Sequence, residues 1–381
     1  MSGPPRLAVC IVTHDEERDL PACLTAVAAL ETRPLEVVVV DCASRDGTVR
    51  AAAAFAPPAG VRFELAPLAE NRGFAGGMNE ALARTTAPWV LTLNADARPA
   101  PDYPERLIAR AEEGERRGLA VGAVTGRLVR FGGEGSAGAA PRRRLDACGM
   151  RLLPTWRHLD RGSGAEDRGQ LARPERVFGA TGAASLFARR ALEDTALDGE
   201  VFDPRFHTFR EDAELAFRLR ERGWEVLYEP AARCEHRRTN LPGRRGAMPP
   251  EVNYHSLKNR YLLRLYHQSW PNLLWTLPFA LWRDLLALGY VLLRERGSLA
   301  AYRWLWANRG ELLARRRRIQ ARRTVPRRAI DRWFLRSGLP LPAAGGAGGG
   351  VPLPPGRGGE GSRERGVVRK SGRGEKHRAR S

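Results

Sequence analysis

Carboxylates, amides and glycines of this 381-residue chain gather where short apolar runs end. Thr13-His14-Asp15 closes the first run, the segment from Asp41 through Asp46 to Gly47 the second, and Asn94-Ala95-Asp96 the fourth. A carboxylate fixed at a strand end suits a hard divalent cation that also holds phosphates, so Asp96 is a candidate metal ligand. Such aspartates also serve as plain turn formers. The string NRGFAGGMN, Asn71 to Asn79, carries Gly73, Gly76 and Gly77. Three glycines so close together let backbone approach a ligand and lead into a helix whose N-terminus favours an anion. Their G-x-x-G-G spacing is not the dinucleotide fingerprint, and a glycine-rich helix entry without a ligand reads equally well.

Two further groups lie downstream. Glu211-Asp212 follows FDPRFHTFR and opens the segment AELAFRLRERG. Acids at a helix start cap it and complement its dipole, whereas a general base needs a carboxylate aimed at a substrate hydroxyl. His236 follows the next apolar run and offers a metal or phosphate ligand, or a structural ring.

The elements that must position these residues alternate over the first hundred positions. Leu7 to Val12, Leu35 to Val40, Val61 to Leu65 and Trp89 to Leu93 have strand length and apolar content, and Asp41 follows the second directly. Asp19 to Leu30, Asp46 to Phe55 and Ala75 to Arg84 are helix-like between them. Short buried strands separated by amphipathic helices predict an α/β fold with a mostly parallel sheet covered on both faces. Ligands of such sheets bind beyond the carboxyl ends of the strands, where the polar groups above fall. Gly132 to Ala140, followed by three arginines, reads as a surface excursion. Val177 to Arg189 reads as a glycine-interrupted strand, Asp212 to Arg222 as a helix and Trp224 to Tyr228 as a strand. From Tyr254 the period is helical, and residues 340–381, rich in Gly, Pro and Arg, read as a disordered basic tail.

Composition narrows the classes. With 43% hydrophobic and 28% charged residues the chain buries a real core and is neither disordered throughout nor collagen-like. Cys10, Cys23, Cys42, Cys148 and Cys234 are scattered and odd in number, which favours reduced thiols packed as small hydrophobes over a disulfide or zinc framework. No basic, apolar leader is visible before Leu7, so a signal peptide is not expected. The net charge of +20 is uneven: residues 294–381 hold 23 of the 63 basic residues and 6 of the 43 acidic ones. The body is therefore nearly neutral and the field belongs to the C-terminal part.

In order along the chain, VTHDE, VVVDCASRDGT, NRGFAGGMN, LNAD, GATGAASLFARR, FDPRFHTFREDAELAFRLRERGW and KNRYLLRL resemble the family 2 glycosyltransferases, inverting enzymes of the GT-A fold, and among them the rhamnosyltransferase-like branch. The resemblance covers residues 6–330 and implies a Rossmann-like catalytic domain over residues 1–250 with a helical extension over 251–339. It implies that Thr13 and Asp41 hold the nucleotide base, and that Asp46, Asn71, Gly73, Gly76, Asn79 and Asn94 border the donor. Asp96 takes the acidic place that binds magnesium or manganese, with His236 beside it. Asp212 falls at the catalytic base, with Gly182 and Glu211 on the acceptor side. The sequence departs from the family at Asp15, Cys42, Ala95, His207 and Thr208. The implied partners are a nucleotide-sugar donor, dTDP-L-rhamnose first, and a lipid-linked or cell-envelope glycan acceptor.

Pro271 to Leu293 is long enough to span a bilayer, but Pro278 and the central pair Arg283-Asp284 argue against a simple transmembrane helix. Six of the nine tryptophans lie between Trp270 and Trp333, near Arg315 to Arg318. Tryptophan with arginine on amphipathic helices predicts attachment to an anionic membrane surface, on the cytoplasmic face; the alternative is a helical subdomain packed on the core with solvated arginines. Two other classes compete. A nucleic-acid-binding or scaffold protein would use the basic end but leaves the strand-end motifs idle, and no specific nucleic acid is expected. A sugar nucleotidyltransferase would carry a glycine- and arginine-rich loop after the first strand, where VTHDEERDL stands.

Overall fold

The computed structural model describes residues 3–131, 144–238 and 249–343. The elements run β1 (Leu7–Thr13), α1 (Leu20–Ala28), β2 (Leu35–Asp41), α2 (Thr48–Ala53), β3 (Val61–Pro67), α3 (Gly73–Ala83), β4 (Trp89–Asn94), β5 (Ala97–Pro99), α4 (Tyr103–Arg116) and β6 (Val121–Arg130). There follow β7 (Arg144–Ala147), β8 (Met150–Leu152), β9 (His158–Asp160), β10 (Glu175–Arg176), β11 (Ala184–Ala188), α5 (Arg189–Thr195), α6 (Glu211–Glu221) and β12 (Glu225–His236). The helical part comprises α7 (Pro250–His267), α8 (Trp270–Arg294), α9 (Ala300–Ala307), α10 (Arg309–Ala321) and α11 (Arg328–Leu335).

The main sheet has the order β10-β12-β6-β11-β4-β1-β2-β3. Strands β4, β1, β2 and β3 run parallel, as do β6 and β12, while β11 is antiparallel to both β4 and β6. The expected α/β architecture, a mostly parallel sheet flanked by helices with a helical C-terminal region, is the one observed. Period-two alternation builds its two faces. Leu7, Val9 and Ile11 of β1 pack with Leu20, Leu24 and Val27 of α1 and Leu107 of α4, and Cys10 joins Val38, Met78 and Leu82 on the other side. All five cysteines are buried and unbridged, as expected.

Some boundaries differ from the sequence expectation. Only Ala184–Ala188 of the expected strand Val177 to Arg189 is strand; before it the Gly182 amide turns to Asp212 and the Gly179 carbonyl accepts from the Met150 amide. β12 runs on to His236, well past Tyr228, by pairing with β5 and β6. The surface excursion at residues 132–140 and nearly all of the basic tail lie outside the described residues, but Pro342 still accepts a hydrogen bond from Arg117 at 2.8 Å.

The helices after residue 250 share a core with the sheet domain. Trp156 stacks on Phe217 of α6 at 5.6 Å and touches Phe334 of α11, and Leu262, Tyr266 and Trp333 complete the cluster. The first two arginines of the α10 run turn inward: Arg315 pairs with buried Asp203 at 2.8 Å, and Arg316 donates to the Gln268 carbonyl at 2.7 Å. These two guanidinium groups clamp the helix to the domain, whereas Arg317 and Arg318 stay exposed. Pro278 lies inside α8 without ending it, and Asp284 turns inward to Arg260 at 2.7 Å.

Candidate active site

A cleft of ≈ 1220 Å³ opens at the carboxyl ends of β1 and β4. It collects Thr13, Asn71, Gly73, Asn94, Asp96, Gly182, Glu211, Asp212 and His236, nine of the positions singled out from sequence. Asp41 stands behind that wall, accepting from the Thr13 hydroxyl at 2.9 Å and the Ser44 amide at 3.0 Å. Asp46 accepts from the amides of Thr48 and Glu17 at 2.9 and 3.1 Å, and so ties the loop after β1 to the one after β2. Gly76 and Asn79 are not on the cleft wall. Gly76 is buried within α3, and the Asn79 side chain bonds the backbone of Val201 and Phe202 at 2.7–3.1 Å.

Gly73 has φ +64, and a Cβ there would meet the His207 carbonyl at 2.5 Å. Only glycine fits that approach. The Ala75 amide donates to the same carbonyl at 3.0 Å, joining the glycine loop to the segment before α6.

On one wall, the His236 ring lies between two carboxylates, with Nε2 3.0 Å from Asp96 Oδ1 and Nδ1 2.7 Å from Asp146 Oδ2. Burial disfavours the charged ring, but hydrogen bonds to Asp146 and Asp96 outweigh it and raise His236 to about 9. Burial likewise opposes charge on Asp146, yet His236 and Arg238 bring it down to about 2. A divalent cation that displaced the proton between His236 Nε2 and Asp96 would find an oxygen and a nitrogen donor there, with Asp146 fixing the ring from behind, a set that fits such a cation. Sequence reading missed Asp146: RLDACG carries no pattern, and the contact crosses ninety positions of chain. A second group, His207, Glu251 and His255, has ligand atoms within 4.8 Å of one another. It suits a cation poorly, because the Lys258 ammonium sits 3.1 Å from His255 Nδ1.

The opposite wall is built on unusual backbone. His207, Phe209 and Arg210 have φ of 61, 66 and 74°, a left-handed run that costs roughly 1–3 kcal/mol per residue unless its surroundings enforce it. Asn259 of α7 supplies that enforcement. Its amide donates to the carbonyls of Phe206, Thr208 and Phe209 at 2.7, 2.8 and 2.8 Å, and Lys258 donates to Arg205 at 2.5 Å. The turn delivers Asp212 to the cleft, and every other residue of α6 is buried. Asp212 Oδ2 accepts from the Gly182 amide at 3.1 Å and Oδ1 from the Ala213 amide at 2.7 Å. Burial raises Asp212 to about 6, against those two amides. Burial and the adjacent Asp212 raise Glu211 well above the ordinary carboxylate range. A carboxyl held near 6 is poised to take a proton at neutral pH.

Residues 8–195 match the model of Glycosyl transferase family 2. The chain is similar to N-acetylglucosaminyl-diphospho-decaprenol L-rhamnosyltransferase of Mycobacterium tuberculosis, 27% identical over 291 residues, 71% of this chain and 89% of that one. It is also similar to poly-beta-1,6-N-acetyl-D-glucosamine synthase of Staphylococcus aureus, 25% identical over 59% of this chain, and spans 48% of that protein's length. Among solved structures, a mannosyltransferase of Pyrobaculum calidifontis in complex with GDP-Man and Mn2+ aligns with TM-score 0.46 and 21% identity, over 87% of this chain and 88% of that one. TarS 1-349 of S. aureus aligns with TM-score 0.44 and 16% identity, over 68% of this chain and 65% of that one. The motifs at the cleft wall from Thr13 to Gly182 fall within the matched span, and over that span the chain is similar to glycosyl transferase family 2.

Proposed function

We propose that this glycosyltransferase inverts configuration in one displacement. It moves L-rhamnose from dTDP-L-rhamnose to a hydroxyl of a lipid-linked cell-envelope glycan, on the cytoplasmic face of the membrane. A UDP- or GDP-sugar is the alternative donor. The observation that carries the reading is the single cleft shared by two separate polar centres, Asp96 with His236 and Asp212 with Gly182. The similarity to the mycobacterial rhamnosyltransferase, whose name includes a diphospho-decaprenol acceptor, supports the choice of sugar and acceptor class.

Asp96 and His236 would hold magnesium or manganese, which when bound neutralises charge on a diphosphate leaving group. The glycine loop from Asn71 gives the donor a close backbone approach, and Thr13 stays fixed by Asp41. Asp212, held by two amides, takes the proton from the acceptor hydroxyl as that oxygen attacks the anomeric carbon. No carboxylate nucleophile is required.

Thermal unfolding with dTDP-, UDP- and GDP-sugars, each with magnesium or manganese, tests the reading, because a ligand that binds the folded state raises its midpoint by mass action. dTDP-L-rhamnose with a cation should stabilise most, and Asp96→Asn should lose that gain. Stabilisation by a UDP- or GDP-sugar alone rejects the donor, and full turnover in excess EDTA rejects the cation.

A further inference from the structure

α8 is built inside out. Asn272, Thr276, Ala280 and Asp284 recur every four positions, and this stripe faces the domain. Asn272 donates to Asp331 of α11 at 2.6 Å and accepts from Trp156 at 2.9 Å, while Asp284 pairs with Arg260 of α7 at 2.7 Å and also with Arg264. The other side is apolar and open to solvent. Trp270, Leu274, Leu281, Trp282, Leu285 and Leu292 are 46–72% exposed. Arg283 and Asp284 are the only charged residues between Trp270 and Leu293. A helix on the surface of a globular domain turns its apolar stripe inward and its polar side to water. α8 does the reverse.

A helix of this polarity has two ways to meet a bilayer. It is long and apolar enough to cross one. Crossing would pull Asp284 from Arg260 and Arg264, and Asn272 from Asp331, leaving a carboxylate and an amide in hydrocarbon. Lying flat keeps every one of those bonds and buries only the apolar side. Charge then selects the occupant. Arg294 and Arg296 stand exposed at the C-terminal end of α8, and residues 294–381 hold 23 of the 63 basic residues and 6 of the 43 acidic ones. A second copy docked through this face would bring two strongly basic parts together. Anionic lipid answers that charge, and the headgroup boundary accepts Trp270 and Trp282.

We propose that α8 is an in-plane membrane helix, its exposed apolar side sunk into the headgroup and acyl boundary of an anionic leaflet while its polar stripe stays docked on the domain. This interface deepens the membrane location of the proposed function and rests on that part of it alone. Arg283 of the same helix lines the cleft, so the bilayer surface lies beside the cleft.

Flotation of the full-length protein tests it, at low and high salt, with vesicles of phosphatidylcholine alone or with added phosphatidylglycerol. The wild type should float with both and more with phosphatidylglycerol. High salt should remove that excess but not the flotation itself, because apolar burial is not screened. Leu274 and Leu285 point within ~20° of one another around the helix axis. Leu274→Glu with Leu285→Glu should therefore cut binding to either vesicle by about tenfold. The unfolding midpoint and its shift by nucleotide sugar should stay, since both side chains already stand in water. Depth is read from Trp282, as the difference between the wild type and Trp282→Phe in lipid brominated near the headgroup or near the chain end. Stronger quenching near the headgroup is expected; stronger quenching near the chain end means a spanning helix and overturns the in-plane one. Flotation that the leucine pair does not weaken, or that high salt abolishes, assigns binding to the basic end and overturns the face while leaving the membrane location. A lipid-free dimer that the leucine pair turns into a monomer gives the face to a second copy and overturns it too. A wild type that ignores both vesicles overturns the interface and the location together. One that floats as expected but ignores every nucleotide sugar retains the interface and rejects the donor reading.

Discussion

The two walls of the cleft are made in different ways. The proposed donor wall comes from Thr13, the Asp41 loop, the glycine loop and Asn94 to Asp96, each at the end of a strand or the start of a helix it belongs to. Its bonds join neighbouring loops of one parallel sheet, such as Thr13 to Asp41 and Asp15 to Ser44. The proposed acceptor wall is assembled across the chain. Gly182 meets Asp212, His207 meets Gly73, and Asn259 of α7 gathers three carbonyls from fifty positions earlier. A wall made of strand ends follows from the sheet. A wall made of left-handed backbone persists only while distant side chains hold it.

The sharpest way to test that division is to remove the chemistry and leave the geometry. Asp212→Asn keeps the shape and, through its one oxygen, one of the two bonds from Gly182 and Ala213, but accepts no proton. Transfer should fall by about 10²–10⁴-fold, the usual contribution of a general base, with donor stabilisation unchanged. Neighbours on a helix diverge by about 100°, so Glu211 and Asp212 do not share one direction. A dead Glu211→Gln beside a fully active Asp212→Asn would put the base one residue earlier.

The next test breaks the long-range hold. Asn259→Ala leaves three carbonyls without their donor in a buried place, which should cost about 2–4 kcal/mol in denaturant unfolding. Relaxation of the turn at His207 to Arg210 should also cut transfer by about 10–100-fold, with KM for the acceptor rising more than KM for the donor. Equal changes in both constants would mean that Asn259 supports the whole cleft and not one wall.

This division also explains what was legible in the sequence. The first four strands, the helices between them and the strand-end residues could be read, because alternation and helical period are local signals and ligands of parallel sheets gather at the carboxyl ends. Asp146 could not, since its partnership with His236 depends on β7 lying beside β6 and on β12 running past Tyr228. Asn259 stood in KNRYLLRL but gave no hint of which carbonyls it would gather. Asn79 misled in the other direction: at the end of the glycine string it looked like part of the donor loop, whereas helical geometry turns it toward Val201 and Phe202. Composition counts charge but not direction: of the arginine run of α10, Arg315 spends its charge on buried Asp203 while Arg317 and Arg318 stay exposed.

The smallest expected effect separates the walls by pH. Asp212 lies at about 6, above the ordinary aspartate value, because burial disfavours its charge more than the Gly182 and Ala213 amides favour it. As a base it works only when deprotonated, so transfer should fall about tenfold per unit once pH drops below 6. Stability should move the other way. A carboxyl whose folded pKa is raised stabilises the fold while protonated, and that contribution is lost as pH rises through the folded value. Glu211, raised in the same direction, titrates with it, so the observed midpoint belongs to the pair. Asn at position 212 carries no charge to bury. Asp212→Asn should therefore unfold at a higher temperature than the wild type at pH 8, keep part of that advantage at pH 5 and lose it only as the pH falls below about 4, the ordinary aspartate value, while remaining inactive throughout. Donor stabilisation, measured in parallel, should show no step near pH 6. A variant less stable than the wild type at pH 8 would mean that the amides at Gly182 and Ala213 hold the charged carboxylate more tightly than burial opposes it, and the acceptor wall would then be anchored by Asp212 instead of being strained by it.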